Sequence, residues 1–361
     1  MDLLPFGSEL PLHRLVGAVH LFGIPVAGYG LAVLLTAIQR EQHAAPKIAA
    51  AVALAMALLS AAGERFSYVD RSVTLKERSA AALRADGEAQ ALLQRLITLQ
   101  DGRVYLGIPR LPRDVIRIGD VPLGALALVG GVDTLGYLWH AMAPAGDVQV
   151  WFDPDNEVHC RTFGVRYLVF EPGRQAPPFA RLLEQVGRFR IYEVPTVSYL
   201  GVADVPGPIP RAKGTAYTVG FKWLSSALPA ASIYPRLEYV QTREPIDQVG
   251  RQAAEAIARM PLESGAAGTV TRLVDRWSAE VITVRPAAVV LRSNYHPRLT
   301  ATVNGRPSPV FPVAPSYAAV AVPAGAHQVT FRYTPERRWP WLLGGIAGAV
   351  VLIRAARMIG R

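Results

Sequence analysis

Three long apolar runs set the pattern of this chain, and shorter alternating stretches fill the space between them. The first, Leu15 to Ile38, is interrupted by His20 and Thr36 alone. Its 24 residues would reach about 36 Å as a helix, enough to cross a bilayer with some tilt. Glycines at 17, 23, 28 and 30 suit close helix packing within a membrane. After the short loop Gln39–Lys47, the second run, Ile48 to Ala62, is shorter and rich in alanine, so it reads as a membrane helix that leans on neighbours. The third, Trp339 to Ile353, has Trp339 and Trp341 where an aromatic belt would lie. Snorkelling of Arg354 and Arg357 extends that span to Pro340–Ile359.

Between the second and third runs the pattern changes. Glu64 to Gln100 is polar and amphipathic, with Leu92, Leu93, Leu96, Ile97 and Leu99 mostly on one helical face and Gly102 beyond the end. Strand-like segments follow at Arg103–Ile108, Val148–Phe152, Val165–Phe170 and Phe189–Val194. Helical patterns at Thr134–Met142 and Phe179–Val186 alternate with them. Residues 196–235 are rich in Pro and Gly and carry no clear period, and Gln248–Met260 reads as a short helix. From Gly268 short strands and turns take over. Asn304-Gly305 is a strong hairpin signal because both turn positions need φ > 0. Val329, Phe331 and Tyr333 share one face of a strand in what reads as an antiparallel sheet with one face packed and one wet. The pattern predicts an α+β membrane protein with about three transmembrane helices, an α/β extramembrane domain and a C-terminal β-sandwich. The boundaries are two transmembrane helices in 1–63, the α/β domain with its leading amphipathic helix in 64–265, the sandwich in 266–335, and a transmembrane helix with a basic tail in 336–361.

Composition sharpens this picture. The chain has 361 residues, 51% hydrophobic and 18% charged, and its mean hydropathy of +0.21 fits a few spanning helices attached to a water-facing body. The net charge is +10, but no Arg/Lys cluster interleaves with aromatics, which argues against nucleic acid and leaves anionic lipid headgroups as the natural partner. A single cysteine, Cys160, excludes an intramolecular disulfide and a cysteine-based metal site. The first run lacks a basic leader and a small-residue cleavage signal, so it reads as an anchor rather than a cleaved leader. Positive charges on either side of the spans do not decide orientation.

Candidate chemistry is sparse. Asp153, Asp155 and Glu157, with Asn156 and His159, form the densest acidic cluster. Hard cations favour such oxygens, but the EF-hand glycine and distal Glu are missing, and a turn explains the same residues. Apart from a metal there, no cofactor is expected. Asn294, Tyr295 and His296, near the Asn304 hairpin, offer rings to stack on a sugar and an amide to bond it; a strand-end turn with a core-packed Tyr is the plainer alternative. His20 sits in an apolar run, where polar residues mark either function or a helix–helix hydrogen bond. Glu193 has no visible carboxylate partner for acid–base work, and no nucleophile, phosphate-loop or metalloprotease motif is present.

Several segments carry a family resemblance. Asn294-Tyr295-His296-Pro297, Thr302-Val303-Asn304-Gly305-Arg306-Pro307 and Val322-Pro323-Ala324-Gly325-Ala326-His327-Gln328-Val329 resemble the C-terminal β-domain of YfhO-like bacterial membrane proteins, polytopic glycosyltransferases of the GT-C type. Gly164-Val165-Arg166-Tyr167-Leu168-Val169, Ile191-Tyr192-Glu193-Val194-Pro195 and Ala27–Ala32 are similar to further family segments. The chain departs at Arg298-Leu299, where the family usually has Gly-Trp, and at Val194, where it has Asn. The resemblance implies a multi-pass protein of the bacterial cell membrane with its main domain extracytoplasmic. It also implies a role beside lipid-linked sugar transfer to a cell-envelope glycan, with a polyprenyl-phosphate sugar or a glycan as ligand. The family's catalytic acid lies in an early loop with no counterpart here, which implies a polytopic partner chain carrying the catalytic half. The alternative is a non-catalytic, membrane-anchored carbohydrate-binding or assembly module.

Overall fold

The computed structural model describes residues 27–99, 101–135, 144–196, 199–240, 245–262 and 267–335. His20, half of the first apolar run, most of Thr134–Met142 and the whole third run lie outside the described residues.

Helix α1 covers 27–40 and, after residues 41–43, helix α2 runs from Ala44 to Ala85. At 42 residues α2 is about 63 Å long. It joins the second apolar run to the start of the amphipathic stretch, which the pattern had placed on two separate helices. Gly63 does not break it, because a lone interior glycine costs about 1 kcal/mol against Ala, too little to interrupt an alanine-rich helix. The break comes at Asp86, whose carboxylate accepts from Ala89 N at 2.9 Å and caps α3 (Gly87–Thr98). Among the described residues α2 is the one helix long and apolar enough to cross a membrane, with a window of mean hydropathy 1.8 and none of that window buried.

Helix α3 buries Ala89, Leu92 and Leu96 against a mixed sheet. Its strands are β1 (Arg103–Tyr105), β4 (Thr134–Leu135), β5 (Val165–Phe170), β6 (Arg181–Val186) and β7 (Phe189–Glu193), after a small β2–β3 hairpin (Arg117–Ile118, Val121–Pro122). The order is β4-β1-β5-β7-β6, parallel through β5 and antiparallel beyond it. Helices α4 (Leu123–Val129), α5 (Pro144–Gln149) and α6 (Glu157–Phe163) connect the strands. Two segments change type. Val148 is buried on α5 rather than on a strand, and Arg181–Val186 is a strand rather than a helix. Both runs are too short for periodicity to separate the two types. The β6–β7 hairpin settles the second, turning at Gly187 with φ 56°.

The Pro/Gly-rich stretch holds β8 (Leu200–Ala203), β9 (Ile209–Arg211), α7 (Ala216–Leu224) and β10 (Leu237–Tyr239), and α8 (Ile246–Ala258) follows. The remaining strands are β11 (Gly268–Asp275), β12 (Ser278–Thr283), β13 (Ala287–Asn294), β14 (Leu299–Val303), β15 (Arg306–Ser308), β16 (Val310–Val313), β17 (Tyr317–Val322) and β18 (Gly325–Tyr333). They form two antiparallel sheets, β11-β12-β18-β14-β15 and β16-β17-β13-β8, sharing a core of Leu200, Val281, Val289, Leu291, Val329 and Phe331. Strand β8 pairs with β13, so the sheet crosses the boundary drawn at 265. The β16-β17-β13-β8 sheet is packed on both faces, whereas β18 in the other sheet buries Val329 and Phe331 and exposes Gln328 and Arg332, one face packed and one wet. Val289 and Leu291 point into the inter-sheet core, while Ala288 and Val290 join Trp223, Ile257 and Tyr317 in the cluster beneath. That second cluster continues to Tyr105, Leu168 and Phe170 on the first sheet, so one α+β body holds all three large sheets.

Candidate functional site

The end of β13 builds a pocket. Its pairing with β17 slips between Leu291 and Asn294, a bulge that re-aims the following residues. Tyr295 N donates to Ser316 O at 2.7 Å, and Leu299 N donates to His296 O at 2.9 Å, closing the loop that carries both rings. Arg298 N donates to His296 Nδ1 at 3.1 Å, so Nε2 is the imidazole nitrogen left to donate. The His296 ring meets Tyr333, at the end of β18, edge-on at 5.3 Å and 82°. Trp277 enters from the β11–β12 turn, where its N–H bonds Asp275 Oδ1 at 2.9 Å and its carbonyl accepts from Phe331 N at 2.9 Å. Asn294 Oδ1 accepts from Ala145 N at 3.1 Å and holds the start of α5 against the strand end. Trp277, Asn294, Tyr295, His296 and Tyr333, with Leu299 as floor, line a cavity of ≈ 350 Å³. That lies within the range of small-ligand sites, about 300–1,000 Å³.

Three of the sugar-facing candidates, Asn294, Tyr295 and His296, therefore meet in one pocket. Asn304 does not join them. It sits at the far end of β14 with φ 51°, accepts from Gln328 N at 2.8 Å, and its amide lies 3.1 Å from His327 Nδ1. Its work is the hairpin. Trp277 and Tyr333 escaped the sequence reading because strand pairing, not proximity along the chain, brings them in. An aromatic inside the polar turn Asp275-Arg276-Trp277-Ser278 was the available signal.

The acidic loop is a capped turn. Asp153 accepts from Asp155 N at 3.0 Å. Asn156 caps α6 by accepting from Val158 N and His159 N at 2.9 and 3.3 Å. Glu157 lies in the first turn of α6, favourable to the helix dipole. Arg174 Nη2 holds both oxygens of Asp155 at 2.8 Å. With Asp155 so engaged, Asp153, Asp155 and Glu157 are not brought together as ligands, and no group of three or more metal-binding side chains occurs among the described residues. Burial pushes the His159 imidazole below its usual range, in keeping with its Nδ1 accepting from Asp153 N at 3.1 Å. Glu193 bonds Arg181 at 2.7 Å and Arg166 at 3.0 Å, and these hydrogen bonds hold its carboxyl below the usual range. A carboxylate fixed in its ionised form is poorly suited to proton transfer.

A wider depression of ≈ 620 Å³ is lined by Asp204, Arg236, Arg285 and Phe311 among others. Its cations are already engaged, Arg285 with Asp204 at 2.6 Å and Arg236 over the Phe311 ring at 5.0 Å. The aromatic pocket is the better site for a neutral, ring-shaped ligand.

Fold and pocket together define an α+β body carrying one long, unburied apolar helix and an aromatic cleft at the ends of β13 and β18. Comparison with models of protein families, with curated proteins and with solved structures returns no match.

Proposed function

We propose that this chain is a membrane-anchored body that holds a glycan of the cell envelope in its aromatic pocket. The observation that carries the reading is the convergence of Trp277, Tyr295, His296 and Tyr333 around the Asn294 amide. Sugar rings present C–H faces to aromatic planes and hydroxyls to amides, and this lining offers both. Anchoring rests on α2 together with the apolar runs Leu15–Ile38 and Trp339–Ile353, as a multi-pass arrangement. Tyr333 precedes Trp339 by six residues, which span at most about 20 Å when extended, so the pocket lies near the bilayer surface. That placement favours a glycan attached to a lipid carrier.

The resemblance to YfhO-like proteins supports the finer reading. The body is extracytoplasmic in the bacterial cell membrane and forms the C-terminal part of a GT-C-like machinery. A polytopic partner chain would supply the acid that moves sugar from polyprenyl phosphate. A carbohydrate-binding module without that partner is the second reading, and the ion-paired Glu193 fits both.

Two measurements test this. Calorimetric titration of the full chain in mild detergent with soluble hexose and N-acetylhexosamine oligosaccharides should show binding. Trp277→Ala should weaken it about tenfold, as loss of one stacking ring would. Equal affinity in both proteins, or no binding in either, overturns the pocket assignment. Co-purification of a many-helix protein selects the first reading, and its absence the second.

A further inference from the structure

Helix α2 is apolar on all faces from Ile48 to Ala62 apart from Ser60, and beyond it Phe66, Val69 and Val73 continue along one face as a stripe while Tyr68 and Leu75 are exposed on the opposite one. Ile48, Val52, Ala55, Leu59, Ala62, Phe66, Val69 and Val73 follow spacings of four and three, the a/d pattern of a heptad with Phe66 at a. The stripe faces no part of the body, with Leu59 at 71% exposure, Phe66 at 75% and Val73 at 45%. α2 meets the body through its last turns, at Ser79, Ala82 and Leu83. Lipid accounts for the stripe up to Ala62. It does not account for the segment from Glu64 to Arg78, which carries Glu64, Arg65, Asp70, Arg71, Lys76, Glu77 and Arg78 and belongs in water. Fifteen residues, all but Thr74 exposed, make a marginal helix on their own, so this stalk needs a surface to pack on.

We propose that the α2 face bearing Leu59, Phe66, Val69 and Val73 seats the same face of a second copy of this chain, the two helices running parallel as a two-stranded coiled coil. The flanking charges select that partner and direction. With Phe66 at a, Arg65 falls at g and Asp70 at the following e, so a parallel pair sets Arg65 of each copy against Asp70 of the other. Asp70 and Glu77 both occupy e, and an antiparallel pair would bring those acidic rows together. β-branched Val52 and Val73 at a favour two strands over more. Lys76, at d, carries its ammonium out of the seam on a long stem and weakens the coil where the body begins. Parallel direction also follows for two copies inserted the same way in one bilayer, and that clause rests on the anchoring proposed above.

Cysteine cross-linking in native membranes tests the pairing, since Cys160 is fully buried and stays silent. Full chains bearing Phe66→Cys, Val69→Cys or Val73→Cys should give several-fold more disulfide-linked dimer under mild oxidation than Ser67→Cys, Arg71→Cys or Arg78→Cys. Arg65→Asp should lower the yield at Val69→Cys, and adding Asp70→Arg should restore it. A flat profile across the six positions overturns the proposal. Alkaline extraction of the same membranes separates the two ideas. Release of a chain that still cross-links with heptad period sinks the anchoring alone, and retention with a flat profile sinks the pairing alone.

Discussion

Arg188 ties the α2–α3 junction to the β6–β7 hairpin, and removing it should loosen α2 from the body in a pH-dependent way. Arg188, beside the Gly187 turn, places Nη2 at 2.6 Å and Nη1 at 3.0 Å from the Asp86 carboxylate. It reaches Glu88 at 3.0 Å and Glu171 at 3.3 Å, and its guanidinium covers the Phe189 ring at 4.3 Å. Each half-exposed pair is worth about 0.2–1 kcal/mol, and the ring contact about 0.5–1 kcal/mol. Arg188→Ala should therefore cost about 1–3 kcal/mol, and three carboxylates would be left facing one another. At about 2–4 °C per kcal/mol, the melting temperature of the full chain in detergent should fall by about 2 to 12 °C. The hydrogen bond from Arg188, above all, holds the Asp86 carboxyl below its ordinary range. A depressed carboxylate stabilises the fold fully above its unfolded pKa, about 4, and loses that contribution as pH falls through the folded value. The gap between wild type and Arg188→Ala should be full at pH 7, begin to narrow below about pH 4, and shrink toward the share of the Phe189 ring contact as pH falls through the folded value. Scanning calorimetry at both pH values decides the matter. No gap at neutral pH, or a gap that persists undiminished in acid, refutes the reasoning.

Other perturbations follow from single contacts. Asn156→Ala removes the cap of α6 and should destabilise by about 0.5–2 kcal/mol, read by urea unfolding; a neutral result would mean the cap is idle. Asp155→Ala should leave calcium titration indistinguishable from wild type, and a lost binding isotherm would restore the metal reading of the Asp153–Glu157 loop. A methyl group on Gly201 would collide with the Arg292 guanidinium, which is 5% exposed and donates to Leu200 O at 2.8 Å. Gly201→Ala should cost about 1–3 kcal/mol by thermal unfolding, whereas Gly207→Ala, with open space around it, should cost far less.

Local chemistry was legible and long-range pairing was not. Asn304-Gly305 announced its hairpin, and the two φ values of 51° and 76° are those the turn demands. Val329 and Phe331 point inward as their alternation implied, and Leu92 and Leu96 form the buried stripe of α3. Short apolar runs misled where period cannot discriminate, at Val148–Phe152 and Phe179–Val186. Strand β8 could not be foreseen in the sheet with β13, since that pairing joins residues far apart in the chain. The pocket divides the same way. Asn294, Tyr295 and His296 are contiguous and were visible, while Trp277 and Tyr333 arrive through β12 and β18.

Two tethers bear on how high the body stands. Along α2, Glu64 to Ser79 is fifteen residues, about 22 Å of helix between the charged boundary and the first buried residue of the body. At the other end, Tyr333 to Trp339 reaches at most about 20 Å. If Ser79 and Tyr333 stand at similar heights in the body, embedding both apolar runs would leave the strap after β18 little slack. Inserting one heptad after Val69 keeps the α2 stripe in phase and lifts the body by about 10 Å, beyond the strap's reach. The end of β18 should then be pulled from β14, where Leu299 faces Tyr333, and the pocket should open. Trypsin should cut at Arg332 faster in the heptad variant than in wild type. Three further residues placed after Pro335 add about 10 Å of strap and should restore resistance. Equal cleavage in all three proteins would mean that the strap is slack or that the third apolar run is not held in the bilayer.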